Sequence, residues 1–556
     1  MSVARRSHAY PQVRVDAAAL VDVPAVAAPA GIRVGDALRL ARRRDARLLV
    51  ADGRCVLRDD LVRAQALGLD ALGARALARA LPTVDAGADE VAVRRALAGG
   101  APLVAVRDRR GIVGAVAAPA ARRAAPVASL GARFTRAVPD AVRAVLARVA
   151  ELAAAHGARA FAVGGLVRDV CRDAAVTRRD LDVVVEGDGL RVARHLADAL
   201  GGTLTEHPRF LTASVEAPGL GRIDVATSRA ERYETPGALP RVLPAGIAQD
   251  LARRDFTVNA LAVELASGGF GLLDPFGGRA DLARRRLAVL HPLSYVEDPT
   301  RLFRAGRYAV RLGLAPDAAT RRAQALALAH APYPALSGQR LATELERVLA
   351  EARPDAVLLR LAAGGVLRLL HPRWRLTAAT RRRLTALPAA LAWAVGAGLA
   401  VPPLELALLA LLADQPPALA AAALDRLALA GEPRARVGRG LEGAPALGAA
   451  LLDAGRPSAR ARLLRERAPV ELAWLWLDAA ATGGRPAPVG AIVAWFAGLE
   501  PRGGALGGED VIALGVPRGP AVARVLAELR DARLDGTVTD RAMEEDLVRH
   551  RILEGG

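Results

Sequence analysis

An α/β domain followed by a long all-α region, with a small α+β pair ahead of it, is the fold this sequence predicts. Three observations carry it. Between Glu151 and Asp274 helical patterns alternate with apolar strands; from Asp298 onward strand signals fade into Ala/Leu/Arg segments separated by Pro and Gly, up to about residue 550; and within the first 120 residues one pattern recurs after about 55 residues. A chain of 556 residues exceeds one ordinary core, which sets an expectation of several domains.

The recurring pattern is helix, strand, turn, strand, helix. Val34 to Leu40 is helical, Arg47 to Val50 apolar, Asp52-Gly53 a turn, Val56-Leu57 a strand, and Asp59-Asp60 opens a helix. Val91 to Leu97, Leu103 to Val106, Asp108 to Gly111 and Ile112 to Val116 repeat it. The expected division is 1–122 for this pair, 123–139 for an Ala/Pro/Arg-rich linker, 140–290 for the α/β domain, 291–372 for a helical neck and 373–556 for a helical body and tail.

Composition narrows the partner. The formal charge is +19, from 77 basic and 58 acidic residues, and no lysine occurs. A GC-rich genome explains arginine in place of lysine but not the excess of positive charge, which suits a polyanion such as nucleic acid. Two cysteines, Cys55 and Cys171, provide neither a disulfide framework nor a thiolate zinc site and fit a reducing cytoplasm. Met1 to Pro11 does not read as a secretory signal. Leu384 to Leu404 is free of charge and long enough to cross a bilayer, yet Pro388 and Pro402-Pro403 break it, and no membrane association is expected.

Chemistry concentrates in the α/β domain. Gly164-Gly165 follows an apolar strand, Phe161 to Val163, and starts a helix. Glycines there let phosphate oxygens approach backbone N–H groups, although a plain tight turn would use the same residues. Arg168 adds a fixed charge. In Arg179-Asp-Leu-Asp-Val-Val-Val185, alternation on a strand puts Asp180 and Asp182 on one face while Leu181 and Val183 pack behind. Two adjacent carboxylates repel each other unless cations intervene, and a Mg²⁺ pair held there suits attack by a 3′-hydroxyl with departure of pyrophosphate. Asp224, in Arg222-Ile-Asp-Val-Ala226, is a candidate third catalytic carboxylate or a structural residue.

These segments resemble the class II tRNA nucleotidyltransferase and bacterial poly(A) polymerase family. The resemblance rests on Gly164-Gly-Leu-Val-Arg-Asp169, Asp180-Leu-Asp182, Arg253-Arg-Asp-Phe-Thr-Val-Asn-Ala260, Asp274-Pro-Phe-Gly-Gly278 and Glu297-Asp-Pro-Thr-Arg-Leu-Phe-Arg-Ala-Gly-Arg307, all in the family's order. It implies a polymerase-beta-like nucleotidyltransferase head on a helical neck, body and tail. It further implies that Asp180 and Asp182 hold two Mg²⁺ ions, and that Arg253, Arg254, Asp255 and Asn259 meet the triphosphate and ribose of ATP or CTP. Arg254 and Asp255 would otherwise make a structural ion pair.

By the same resemblance Asp298 and Arg301 act as a protein template. Residues three apart share a helix face, so an acceptor and a set of donors can meet one planar base. Asp298 also reads as a helix cap with Pro299 at the first helical position. Arg304, Arg307 and Arg311 continue a basic stripe, Arg304 toward the nucleotide and the rest toward the tRNA acceptor end, or a solvated face. Leu336 to Leu345 and Leu514 to Pro520 are similar to later family segments, the first with a structural Arg340 and Glu344, the second an interhelical turn or a tRNA contact. The N-terminal pair resembles CBS modules, which implies an adenine nucleotide as ligand, with a generic α/β pair as the alternative and no binding residue assigned.

The expected activity is addition of C and/or A to the 3′ end of tRNA. Thr227 to Pro240 is similar to the version in longer relatives with CBS modules, some of which add only the terminal A. A poly(A) polymerase is the nearest alternative, and an inactive nucleotide-sensing RNA-binding protein is the alternative of another class. No His-Asp dipeptide supports an accessory hydrolase.

Overall fold

The structure is a computed structural model describing residues 16–98, 102–118, 126–176, 181–266, 270–482, 488–498 and 505–554. It divides into two compact units between Leu336 and Ser337.

The first unit opens on the internal repeat. Strands β1 (Val23–Ala27), β2 (Leu48–Ala51) and β3 (Arg54–Leu57), with helix Val34–Arg43 crossing from β1 to β2, are followed by β4 (Thr83–Asp85), helix Glu90–Ala98, β5 (Leu103–Asp108) and β6 (Gly111–Ala117). The two halves join through β1 and β6 into one sheet of order β3-β2-β1-β6-β5-β4. Each half pairs its first strand parallel to its second and its second antiparallel to its third. The Asp52-Gly53 turn is present, with φ of 48° and 71° at those residues. β1 and β4 had no sequence signal: one contains Pro24, and the other is three residues long.

The second sheet carries the chemistry. β7 (Ala128–Ser129), β8 (Arg159–Val163), β9 (Leu181–Glu186), β10 (Thr203–His207), β11 (Thr212–Ala217) and β12 (Gly221–Thr227) come first. A separate hairpin of β13 (Arg229–Arg232) and β14 (Arg241–Pro244) precedes β15 (Ala262–Glu264) and β16 (Gly271–Leu273). The order is β10-β11-β12-β9-β8-β15-β16-β7. Strand alternation splits the core in two. Ala160, Ala162, Leu181, Val183, Val185, Ile223 and Val225 face the helices Asp140–Ala155 and Gly189–Leu200, while Phe161, Val163 and Val184 join Ile247, Leu251 and Leu273 on the other side.

Residues 126–139 fall in the expected linker yet belong to this domain. β7 pairs with β16, and the helix Gly131–Ala137 buries Phe134, stacked on Phe270 at 4.4 Å between ring centroids. The alanine- and arginine-rich composition masked these anchors, Phe134 with Leu130 and Val138 beside it, all buried in the domain core.

The second unit, from Ser337, is helical throughout its described residues, as the fading strand signal predicts. Its interior is mostly leucine and alanine with a few large rings. Trp393 stacks on Trp476 at 5.1 Å, and Trp474 donates from Nε1 to the Gly440 carbonyl at 3.1 Å. Arg383 is held between Asp414 and Asp478, at 2.7 Å from each. Glu344 is buried and accepts from Arg347. Leu514 to Gly519 joins helices Gly508–Ala513 and Pro520–Leu534, the expected interhelical turn. Leu384 to Leu404 lies across the helices Ala378–Gly396 and Pro403–Leu412, and no helix among the described residues is long and apolar enough to cross a membrane.

Candidate active site

Gly164 ends β8 with φ 66° and ψ −124° and opens the helix Gly165–Cys171. Side-chain-bearing residues avoid that backbone region. A Cβ at Gly164 would lie 3.3 Å from Arg254 Nη1 and 3.5 Å from Asp182 Oδ2. The missing side chain is therefore a gap between a guanidinium and a carboxylate, wide enough for a phosphate oxygen to approach the backbone. Gly165, half-buried, is the first residue of the helix.

Asp182 is exposed on β9, and parallel pairing with β12 places Asp224 in register beside it. Paired strands run about 4.8 Å apart, so the two carboxylates rise as neighbours from one face. Ser214 on β11 continues the row, opposite Asp224. Its hydroxyl donates to Asp224 Oδ1 at 2.6 Å, and Arg222 Nε donates to the same oxygen at 2.8 Å. Oδ2 of Asp224 takes neither bond. Carboxylate oxygens on adjacent strands fit a hard divalent cation. Among the described residues no group of three or more His, Cys, Asp or Glu side chains gathers for a metal. Asp180, the expected partner of Asp182, lies outside the described residues.

Asp250, fully buried on the helix Ile247–Ala252, orients two arginines at once. Its Oδ1 accepts from Arg253 Nε and Nη2 at 2.9 and 2.8 Å, and its Oδ2 accepts from Arg254 Nη2 at 3.0 Å. Burial pushes this carboxyl up, but Arg254 and Arg253 outweigh it and hold it below its ordinary value. Arg253 turns away from the carboxylate pair, toward Glu231 at 2.7 Å. Arg254 leaves Nη1 toward Gly164 and Asp182.

Asp255 and Asn259 form the next layer. Asp255 is buried, and its Oδ1 accepts from the Phe256 N–H at 2.8 Å and from Asn259 Nδ2 at 3.0 Å, while Oδ2 accepts from Arg304 Nε at 2.8 Å. Asn259 Oδ1 accepts from Arg168 Nη1 at 2.9 Å. Arg168 is 1% exposed, clasps Asp169 through both carboxylate oxygens and lies over the Tyr308 ring. Arg304 and Arg311 flank the same ring, and Arg307 is half-buried on the same helix. Arg254 and Asp255, weighed as an ion pair, instead take separate partners, Asp250 and Arg304.

The Asp274-Pro-Phe-Gly-Gly278 segment braces this loop. Asp274 accepts from the Gly278 and Arg279 N–H groups at 2.6 and 3.1 Å, and a Cβ at Gly278 would meet the Thr257 carbonyl at 2.3 Å. Only glycine allows that approach, and Asp281 one turn on accepts from the Thr257 hydroxyl at 2.6 Å.

Asp298 accepts from the Thr300 N–H at 3.1 Å and its hydroxyl at 2.7 Å, but from one position before the expected one, because the N-cap of the helix Thr300–Arg311 is Pro299. Pro299 sits just before the helix rather than inside it, a one-residue shift within the ordinary fraying of helix starts. Arg301 is 5% exposed, with Nη1 on Ser294 Oγ and Nη2 on the Arg253 carbonyl, each at 2.8 Å. The arginine expected on a base edge is thus fastened to the loop that carries Arg253 and Arg254.

Asp250, Ser214, Ser294 and Tyr308 were not singled out by sequence reasoning. Asp250 and Tyr308 left a signal: Asp250 stands three and four residues before the two arginines, and Tyr308 four residues after Arg304. Ser214 and Ser294 left none, because strand pairing and a loop bring them in.

Paired acids on neighbouring strands, a glycine gap and an arginine fixed beside it define a polymerase-type nucleotidyltransferase head. Residues 160–288 match the poly A polymerase head domain family. An A-adding tRNA nucleotidyltransferase of Geobacter sulfurreducens is 45% identical over 213 residues, 38% of this chain and 24% of that protein. A CC-adding tRNA nucleotidyltransferase of Deinococcus radiodurans is 35% identical over 391 residues, 70% of this chain and 88% of that one. Among solved structures, the Thermotoga maritima CCA-adding enzyme complexed with tRNA shares 27% identity at a TM-score of 0.63, covering 76% of this chain and 99% of that one. CCA-adding enzyme complexes with ATP and with CTP share 26% identity at TM-scores of 0.65 and 0.64, covering 77% and 76% of this chain and 98% and 99% of those chains. The chain belongs to the class II tRNA nucleotidyltransferase family. Its matches span 18% to 48% of the length of the A-adding relatives.

Proposed function

We propose that this protein adds C and/or A to the 3′ end of tRNA from CTP or ATP, with the terminal A as the favoured addition. The observation that carries the reading is the in-register pair Asp182 and Asp224 beside the Gly164 gap and Arg254. Relatives that add A or CC, and solved relatives holding tRNA, ATP or CTP, support it. The higher local identity to an A-adding relative, 45% against 35%, favours A.

The RNA 3′-oxygen forms a bond to the α-phosphorus, the bond to the β,γ-pyrophosphate breaks, and the hydroxyl proton leaves to solvent. Mg²⁺ bound at Asp182, Asp224 and Asp180 would lower the hydroxyl pKa and neutralise charge on the phosphates. Ser214 and Arg222 hold Asp224 in place, and Arg254 offers Nη1 to the triphosphate. Asn259 and Asp255 set the ribose side of the pocket, with Arg168 and Arg304 fixing their rotamers. Asp298 accepts from an exocyclic amine, and Arg301 offers the N–H groups not spent on Ser294 and Arg253. In this reading 140–290 carries catalysis, 291–372 recognises the base and 373–556 binds tRNA; the N-terminal repeat is read as a CBS-like pair.

Transcripts ending at the discriminator, at C and at CC, each given CTP or ATP alone, test the proposal. Extension of the CC end by ATP, lost in Asp182→Ala, is expected. Binding without any extension points to the inactive sensor, and equal extension of generic RNA points to a poly(A) polymerase.

A further inference from the structure

The segment from Leu290 to Glu297 leads straight into Asp298 and Arg301, and the N-terminal repeat grips it at both ends. Arg79, paired through two bonds of 2.6 and 2.8 Å with the fully buried Asp60, donates from Nη1 to the Leu290 carbonyl at 3.0 Å. Arg63, on the helix Arg58–Ala66, donates from Nη1 to Glu297 Oε1 at 3.0 Å. The other carboxylate oxygen of Glu297 faces His291 Nε2 at 3.2 Å. The Gly237 N–H meets the Val296 and Glu297 carbonyls at 3.2 Å each. Between the ends, the Ser294 hydroxyl accepts from Arg301. A path of direct bonds thus runs from the N-terminal sheet domain to the arginine expected at the base.

We propose that Arg63 is a positioning residue for nucleotide selection, acting through Glu297 to fix the segment that seats Asp298 and Arg301. The inference rests on the nucleotidyltransferase reading. Glu297 is 4% exposed and needs a cation. His291 is a poor substitute at neutral pH, since burial pushes its imidazole down. Without Arg63 the carboxylate is relieved by turning outward, and its covalent neighbour Asp298 turns with it. The N-terminal domain therefore acts on selection while the acids on β9 and β12 stay untouched.

The test compares full-length wild type with Arg63→Ala, Arg63→Lys and Arg58→Ala on the CC-ended transcript, together with equilibrium binding of ATP and of CTP. Arg58 pairs with Asp45 inside the N-terminal domain and serves as the control. For Arg63→Ala we expect KM and the dissociation constant of the preferred nucleotide to rise about 2- to 30-fold, with kcat within about twofold. Lys at 63 should recover most of the loss, Arg58→Ala should match wild type, and Arg63→Ala should add nothing in a Glu297→Gln background. Unchanged nucleotide affinity in Arg63→Ala, or an equal effect of Arg58→Ala, overturns the inference. If Arg63→Ala does not fold, Arg63→Gln takes its place with the same criteria. If wild type extends no transcript, the functional reading fails, and the ATP and CTP binding constants still decide the role of Arg63.

Discussion

Gly164→Ala separates the two demands on the turn after β8, backbone shape and open space. At φ 66° and ψ −124° an alanine costs about 1–3 kcal/mol of backbone strain. The new methyl would also stand 3.3 Å from Arg254 Nη1, tighter than ordinary contact. Arg254 cannot retreat freely because Asp250 holds its Nε and Nη2. In the proposed reading the added carbon occupies the place of a phosphate, and the expected loss is about 10- to 100-fold in kcat/KM, or roughly 1.4–2.7 kcal/mol of transition-state binding. Chemical denaturation measures the first effect, and single-turnover incorporation on a CC-ended transcript measures the second. A variant of wild-type stability and wild-type kcat/KM would falsify the assignment of this gap to the triphosphate.

Asp224→Asn keeps the shape of the strand and should lower kcat by about 100-fold or more with the fold intact by circular dichroism; near-normal turnover would make Asp224 structural. Asn259→Ala removes the bridge between Arg168 and Asp255 and should cost about 1–3 kcal/mol of stability while raising the nucleotide KM, and a rise in KM without loss of stability would show that the bridge is not structural. For Glu297, burial pushes the carboxyl up, but in acid, where His291 is protonated, the charge and contact of His291 prevail, with Arg63 and Arg301 adding to them, and hold it at about 2 against an ordinary 4.5. A carboxyl lowered on folding stabilises fully above its ordinary value, and that contribution is lost as pH falls through its folded value. Acid titration of unfolding between about pH 4.5 and 2 should therefore show a loss of up to about 3 kcal/mol, reduced in Glu297→Gln; an identical slope in that variant would assign the loss to other acids.

Legibility in the sequence followed the range of the interactions involved. Asp182 could be placed on a strand face because alternation is local, and Leu181 and Val183 do pack behind it. Its alignment with Asp224 could not be read, since register between β9 and β12 depends on pairing across a helix and two further strands. Arg253 and Arg254 read as one basic pair, yet a shared acid, Asp250, sends them in different directions. Arg301 read as a free base-reading group; its bonds to Ser294 and to the Arg253 carbonyl depend on a loop with no periodic pattern. Helices in the second unit were visible throughout because their signal repeats every turn, whereas β1 and β4 were too short to show one.

Because Asp182 and Asp224 reach each other only through finished strand pairing, the cation affinity proposed for this pair would be a property of the completed sheet. A chain that has formed its helices but not this β9–β12 contact lacks the Asp182–Asp224 pair. Titrating Mg²⁺ against thermal unfolding would thus track the integrity of one long-range seam, with any ion that binds the native state deepening its stability by mass action.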